Sequence, residues 1–286
     1  MLCVGETLWD VLPQGEFLGG APLNVAAHLV RLGRPALPVT RVGDDARGAE
    51  AVRRMRSLGI ATDLVQLDRE LPTGEARAVI GADGAAAYAF KQPAAWDRLA
   101  STDEAVAAAA TAAAVVFGTL AQRAPESRDA IRRLVDAAEW SVLDLNLRPP
   151  HADLEVVRAS LERAHLVKLN EDELHVVSGW LGIPADADSL QHALRDRFGT
   201  RSLCITMGAA GARLWHEGRW HDQPSFPTTV ADTVGAGDSF LATLIAGLLA
   251  NRPAATALRQ AARVAAFVAS QHGAIPDYDP APLLAP

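Results

Sequence analysis

Short apolar runs ending in polar residues, each closed by a turn and followed by a helical pattern, recur from one end of this 286-residue chain to the other. That alternation is the strongest constraint on the fold. A crossover helix brings the chain back to the starting edge of a sheet, so successive strands joined in this way lie parallel. The strand-like runs are Leu2-Cys3-Val4 continuing to Val11, Leu37 to Val42, Val115 to Gly118, Ser141 to Leu147, Leu166 to Leu169 and Ser202 to Thr206. Helical spacing predicts helices over 25–32, 47–58, 102–114, 126–138, 154–164, 189–198, 239–250 and 254–271. No low-complexity linker, composition break or internal repeat divides them. The expectation is an α/β fold: one doubly wound domain over 1–286, with a mostly parallel central sheet flanked by helices.

One segment departs from the pattern. Between Thr73 and Phe90 the period shortens to two: Ala76, Ala78 and Ile80, then Ala85, Ala87 and Ala89, flank Gly81-Ala82-Asp83-Gly84, a hairpin signal. Parts of 8–20 and 73–92 are therefore expected to form a small β-sheet acting as a lid, with a plain edge hairpin as the alternative.

Composition narrows the partners. A net charge of −7 disfavours nucleic acid and anionic membrane surfaces, which call for basic patches. Cys3 and Cys204 lie far apart inside apolar runs, so buried free thiols are expected rather than a disulfide or a metal site. Neither a long uncharged apolar stretch nor a cleavable export signal is found, and the expected location is cytoplasmic.

Open α/β sheets bind ligands beyond the carboxyl ends of their strands, so the polar residues there carry the functional reading. In Ala231-Asp232-Thr233-Val234-Gly235-Ala236-Gly237-Asp238-Ser239-Phe240, glycines open an apolar helix whose free N–H groups suit an anion. Asp238 among those donors is either a helix cap or a base that takes the proton of an attacking hydroxyl. Asn24 follows Gly19-Gly20 in the first turn of a helix, where an amide can both donate to and accept from a hydroxyl, or can bond its own backbone. Asn170 and Glu173 could face one side of a helix start or form a capping box. Neither a dinucleotide fingerprint nor the P-loop pattern is present.

Three segments together, Gly19-Gly20-Ala21-Pro22-Leu23-Asn24-Val25-Ala26, Asn170-Glu171-Asp172-Glu173 and Asp232 to Phe240, resemble the ribokinase-like (PfkB) carbohydrate kinases, in particular the fructokinase-like branch. The likeness spans essentially the whole chain and implies the ribokinase-like fold. It further implies ATP-dependent phosphorylation of a small sugar, with fructose or a related ketose as the expected acceptor. Related substrates are those of 2-keto-3-deoxygluconate kinase, ribokinase or nucleoside kinase, and a catalytically silent sugar-binding regulator is the non-enzyme alternative. Carried over residue by residue, Asp238 would be the catalytic base, and Gly235, Ala236 and Gly237 the anion hole. Asp10, Gly19, Gly20 and Asn24 would contact sugar hydroxyls. Asn170 and Glu173 would position Mg²⁺ through its waters, and Thr206, Gly208 and Gly211 would form the nucleotide-side turn. Asp232 would be a candidate for a monovalent cation such as K⁺. Arg148 closes an Asp144-x-Asn146-x-Arg148 segment of the same branch, where it could clamp phosphate, pair structurally or meet a substrate carboxylate. Lys91 could reach the sugar from the lid, whereas Trp96 is expected to pack. Sugar and ATP are the expected partners, with the chain a monomer or homodimer.

Overall fold

The computed structural model describes residues 1–12, 15–80 and 86–285. The predicted hairpin turn Gly81 to Gly84, and Ala85, lie outside the described residues. In chain order the strands are β1 (Leu2–Val4), β2 (Leu8–Leu12), β3 (Gly15–Gly19), β4 (Leu37–Gly43), β5 (Val65–Asp68), β6 (Gly74–Ile80), β7 (Ala86–Phe90), β8 (Val115–Gly118), β9 (Ser141–Asp144), β10 (Leu166–Asn170), β11 (Ser202–Thr206), β12 (Ala212–His216) and β13 (Arg219–Gln223). The longer helices are α1 (Ala21–Arg31), α2 (Ala46–Ser57), α3 (Asp103–Thr111), α4 (Pro125–Asp136), α5 (Leu154–Leu161), α6 (Glu171–Leu181), α7 (Ala187–Phe198), α8 (Ala236–Leu249) and α9 (Ala254–Ala269).

Nine strands form the large sheet in the order β13-β12-β11-β10-β9-β8-β1-β4-β5. All neighbours are parallel except at one edge, where β12 and β13 run antiparallel. Successive side chains of each strand feed opposite layers. Cys3, Val116, Val142 and Leu166 pack on α1 and α8 through Val25, Leu29, Leu241 and Ile245. Their neighbours Val115, Phe117, Leu143 and Val167 pack on α3 to α7 through Ala109, Leu134, Leu161, Val177 and Leu194. The strands are apolar throughout because both faces are covered, as a parallel sheet requires.

The first predicted strand is split. β1 ends at Val4, and Gly5 takes φ 149° against the Pro22 ring, 2.8 Å from where a Cβ would stand. The chain turns there and β2 enters a second sheet, ordered β3-β2-β6-β7. The expected small sheet is therefore present, and 8–12, 15–19, 74–80 and 86–90 build it. β5 and β13 exceed the sequence expectation, and α6 follows the helix start expected at Asn170. Both cysteines are free and fully buried, and burial pushes each thiol up to about 12. Among the described residues no helix is long and apolar enough to cross a membrane.

β1 lies between β8 and β4, so connections leave it in opposite directions along the sheet. The carboxyl ends of β1 and β8 flank that switch point, where an open α/β sheet parts into a crevice.

Candidate active site

A cleft of about 630 Å³ runs over the carboxyl ends of the large sheet's strands, with Asp10 and Tyr88 of the small sheet on its far wall. Its centre is the start of α8. Gly235 is the N-cap, held at φ 78°, and a Cβ there would stand 2.4 Å from the carbonyl oxygen of Ala274. Only glycine fits that left-handed, crowded position. Asp232 ties the same loop: one carboxylate oxygen accepts the N–H of Val234 at 3.0 Å and the other that of Gly273 at 3.1 Å.

Asp238 occupies the first turn of α8, but its carboxylate makes no cap. Oδ2 instead accepts Nδ2–H of Asn24 at 2.7 Å, across the cleft floor from α1. Of the two readings left by the sequence, the helix cap is therefore not the one the carboxylate adopts. Burial, then the charge of Asp144, raise the Asp238 carboxyl, while Asn24, Lys168 and Arg148 pull it back, leaving it at about 6. The amide oxygen of Asn24, Oδ1, is buried and without a partner, so it is an acceptor in waiting. Of the expected anion-hole groups, the Ala236 N–H turns back to the Thr233 carbonyl at 3.3 Å. Gly235 and Gly237 line the cleft and Ala236 does not.

Beneath Gly237 sits a pair the sequence reading passed over. Val142 and Asp144 share the α8-facing side of β9, as do Leu166 and Lys168 on β10, so the core layer ends in charged residues where the cleft begins. Lys168 Nζ bonds Asp144 Oδ1 at 2.8 Å, with both side chains buried. A Cβ on Gly237 would lie 3.4 Å from that ammonium, so the missing side chain lets it approach the helix start. Burial works against the Lys168 charge, but Asp144, Glu173 and Asp238 outweigh it and hold the ammonium above its ordinary range. The available signal was a lone lysine between Val167 and Leu169 in an otherwise apolar strand.

Other expected residues divide between wall and support. Asp10, Gly20, Asn24, Arg148, Asn170 and Thr206 line the cleft. Gly19 instead makes room for Asp10, whose Oδ2 would be 2.4 Å from a Cβ at that position. Burial raises the Asp10 carboxyl; Arg148 opposes and Asp238 and Asp232 add to the rise, leaving it at about 6. Arg148 Nη1 donates only to the neighbouring Leu147 carbonyl at 3.3 Å, and no ion pair holds it among the described residues. Asn146, two residues before it, holds a left-handed φ of 41°, unusual outside glycine.

Asn170 and Glu173 form the capping box. Asn170 Oδ1 accepts the Glu173 N–H at 2.9 Å and Glu173 Oε2 accepts the Asn170 N–H at 2.9 Å. Glu173 Oε1 accepts the Leu147 N–H at 2.6 Å, so this carboxylate braces the Arg148 segment and stands behind Asn170 rather than in the cleft wall. Gly208 and Gly211 form the turn between β11 and β12 without lining the cleft. Gly211 is required there, since a Cβ would stand 2.1 Å from the Gln223 carbonyl oxygen.

Lys91 does not enter the site. It is exposed, and its carbonyl accepts Arg123 Nη2–H at 2.8 Å. Strand alternation is the reason: Tyr88 and Phe90 of β7 face the cleft, so the next residue points away. Trp96 packs in the core, as expected, with the Arg123 guanidinium 3.7 Å above its ring.

The sequence profile of the pfkB family carbohydrate kinases matches residues 10–281. The chain belongs to that family. As a pfkB carbohydrate kinase it is a sugar phosphotransferase, and its relatives agree in length as well as in sequence. The fructokinase of Klebsiella pneumoniae is 30% identical over 262 residues, covering 87% of this chain and 84% of that protein. The fructokinase of Rhizobium leguminosarum bv. trifolii is 29% identical over 266 residues, covering 87% and 79%. In fold, the fructokinase of Xylella fastidiosa solved with bound ATP superposes with a TM-score of 0.85 at 24% identity, over 96% of this chain and 93% of that one.

Proposed function

We propose that this carbohydrate kinase transfers the γ-phosphoryl group of ATP to a hydroxyl of a neutral ketohexose, fructose being the first candidate. The observation that carries the reading is Asp238: a buried carboxylate, oriented by Asn24, at a glycine-built helix start that also receives the Lys168 ammonium. On one side lie hydroxyl-recognising groups from Asp10, Gly20 and Asn24; on the other lie Asn170 and Thr206, facing the phosphate end. Asp238 takes the proton of the acceptor hydroxyl while Asn24 fixes that carboxylate's direction. The N–H groups of Gly235 and Gly237 and the Lys168 charge meet the charge spreading over the transferring phosphoryl group. Most of the rate comes from holding hydroxyl and phosphoryl in line within the cleft.

Among the described residues no cluster of three or more His, Cys, Asp or Glu forms a metal cage. The oxygen donors present fit a hydrated Mg²⁺ carried mainly by phosphates, with Asn170, and Glu173 behind it, holding its waters. When bound, Mg²⁺ neutralises charge on the phosphate oxygens. For a monovalent cation the chain offers Asp232, and turnover in K⁺ against tetramethylammonium tests that assignment.

Charge selects a neutral acceptor. Glu6, Asp10 and Asp238 face Arg148, while Lys168 is already paired with Asp144. A sugar carboxylate would add to an existing excess of negative charge. The unpaired Arg148 favours the second reading, an acidic 2-keto-3-deoxy sugar. The test is ADP release from Mg-ATP across fructose, other hexoses, ribose, nucleosides and 2-keto-3-deoxygluconate. Fructose-dependent turnover is expected; turnover of the acidic sugar alone would reassign Arg148, and none with any acceptor would end the kinase reading.

A further inference from the structure

Glu6 follows β1 at the switch point of the sheet, and the chemistry above leaves its side chain without a task. It is 4% exposed. Oε1 accepts the N–H of Ala21 at 3.3 Å, serving the start of α1, whose N-cap Gly20 has no side chain to do so. Oε2 has no partner in the protein. A buried carboxyl oxygen without a hydrogen bond is costly, so that oxygen is built for a group the chain does not supply.

Two spaces touch this side chain. One is a cavity of about 10 Å³ between the ends of β1 and β8, room for about one water. The other is the main cleft, which Glu6 lines with Asp10, Asn24 and Asp238. Its position relative to them is fixed. A Cβ on Gly20 would stand 2.4 Å from the Glu6 carbonyl oxygen, so the turn that carries Asn24 is pressed onto the backbone of Glu6. Burial pushes the Glu6 carboxyl up to about 7, with Ala21 and Arg148 opposing. Near neutral pH it can therefore accept from a hydroxyl or donate to one. Asn24 Oδ1 and Asp144 Oδ2 are further unpartnered buried oxygens of residues lining this cleft.

We propose that Glu6 is a specificity-determining residue whose Oε2 hydrogen-bonds a hydroxyl of the bound sugar other than the one phosphorylated. This rests on the sugar-kinase reading above. Asn24 and Asp238 hold the reacting hydroxyl, and Glu6, at the near end of α1, reads a second one. A sugar lacking that hydroxyl leaves the carboxyl oxygen buried and unpaired, which is how such a site discriminates.

The test pairs variants with substrates. Wild type, Glu6→Ala and Glu6→Asp are assayed for kcat/KM on the best sugar of the panel and on its monodeoxy analogues. In wild type one analogue should lose about tenfold or more, the size of one lost buried hydrogen bond. In Glu6→Ala the parent sugar should lose a similar factor, and the penalty for that one analogue should nearly vanish. Glu6→Asp, which keeps the charge but retracts it by one methylene, should show the same loss of discrimination and covers the case in which the alanine variant fails to fold. Additive losses for every analogue, in active enzyme, overturn the proposal and leave Glu6 serving α1 or a cavity water. A wild type that turns over no sugar takes down the kinase reading as well, which is a distinguishable result.

Discussion

Asp238 is pulled in two directions, and its neighbours set its working range. Burial and Asp144 favour the protonated carboxyl; Asn24, Lys168 and Arg148 favour the anion, and the balance falls at about 6. A general base must be ionised, so kcat/KM should fall about tenfold per pH unit below 6 and level off above it. Asp238→Asn keeps an oxygen for Asn24 Nδ2–H but cannot take a proton. Its turnover should drop by about a thousandfold with ATP binding retained. Full activity in that variant would remove Asp238 from the chemistry. Stability should move the other way. The folded carboxyl titrates at about 6 against 3.8 for the unexceptional group, so between these values the folded state holds the extra proton. The contribution to stability is therefore complete below 3.8 and is lost as pH rises through 6. The asparagine variant pays no such cost, so its Tm should exceed that of wild type at pH 8, with the gap closing towards pH 4. A Tm gap independent of pH would contradict the account.

At the scale of elements, the start of α8 depends on one glycine. Gly235→Ala would pay about 1–2 kcal/mol for the left-handed backbone and would drive a methyl group into the Ala274 main chain. The helix itself begins after this position, so far-UV circular dichroism should stay unchanged while the anion hole is displaced. Turnover should fall about a hundredfold, the cost of one misplaced donor, and unaltered kinetics would show that Gly235 contributes no geometry. The sequence announced this element, because two glycines, a carboxylate and an apolar helix stand in one unbroken run. It did not announce where β1 ends. Glycine in a strand pattern is consistent with continuation, and the turn shows only in the backbone, where Gly5 takes φ 149° with the Pro22 ring in the place of a Cβ. Lys168 and Asp144 were illegible for a related reason: their pairing is set by register between β9 and β10, which no single strand reveals. Lys91 was misplaced because strand phase, not nearness in sequence, decides which residues of β7 face the cleft.

The whole molecule joins a large sheet, whose carboxyl edge carries Asp144, Lys168 and Asn170, to a small sheet that carries Asp10 and Tyr88. Alternating helices and strands made the first legible, and the change of period after Thr73 made the second. Their convergence on one cleft was legible only through the family resemblance, because in the fold it depends on where β2 leaves the main sheet. We propose that the small sheet acts as a lid over the acceptor. Its contacts with the cleft come from side chains on β2 and β7, whereas the phosphate end is built wholly on the large sheet and α8. Binding of the acceptor should therefore slow amide hydrogen exchange in β2, β3, β6 and β7, by removing the local openings through which such strands exchange. ATP alone should leave these strands nearly unaffected and protect the start of α8 and the β11–β12 turn instead. With both ligands, protection of the small sheet should be greatest, since closure completes the cleft around the reacting groups. Exchange in the small sheet that ignores the sugar, while kinetics show the sugar bound, would reduce it to a fixed wall.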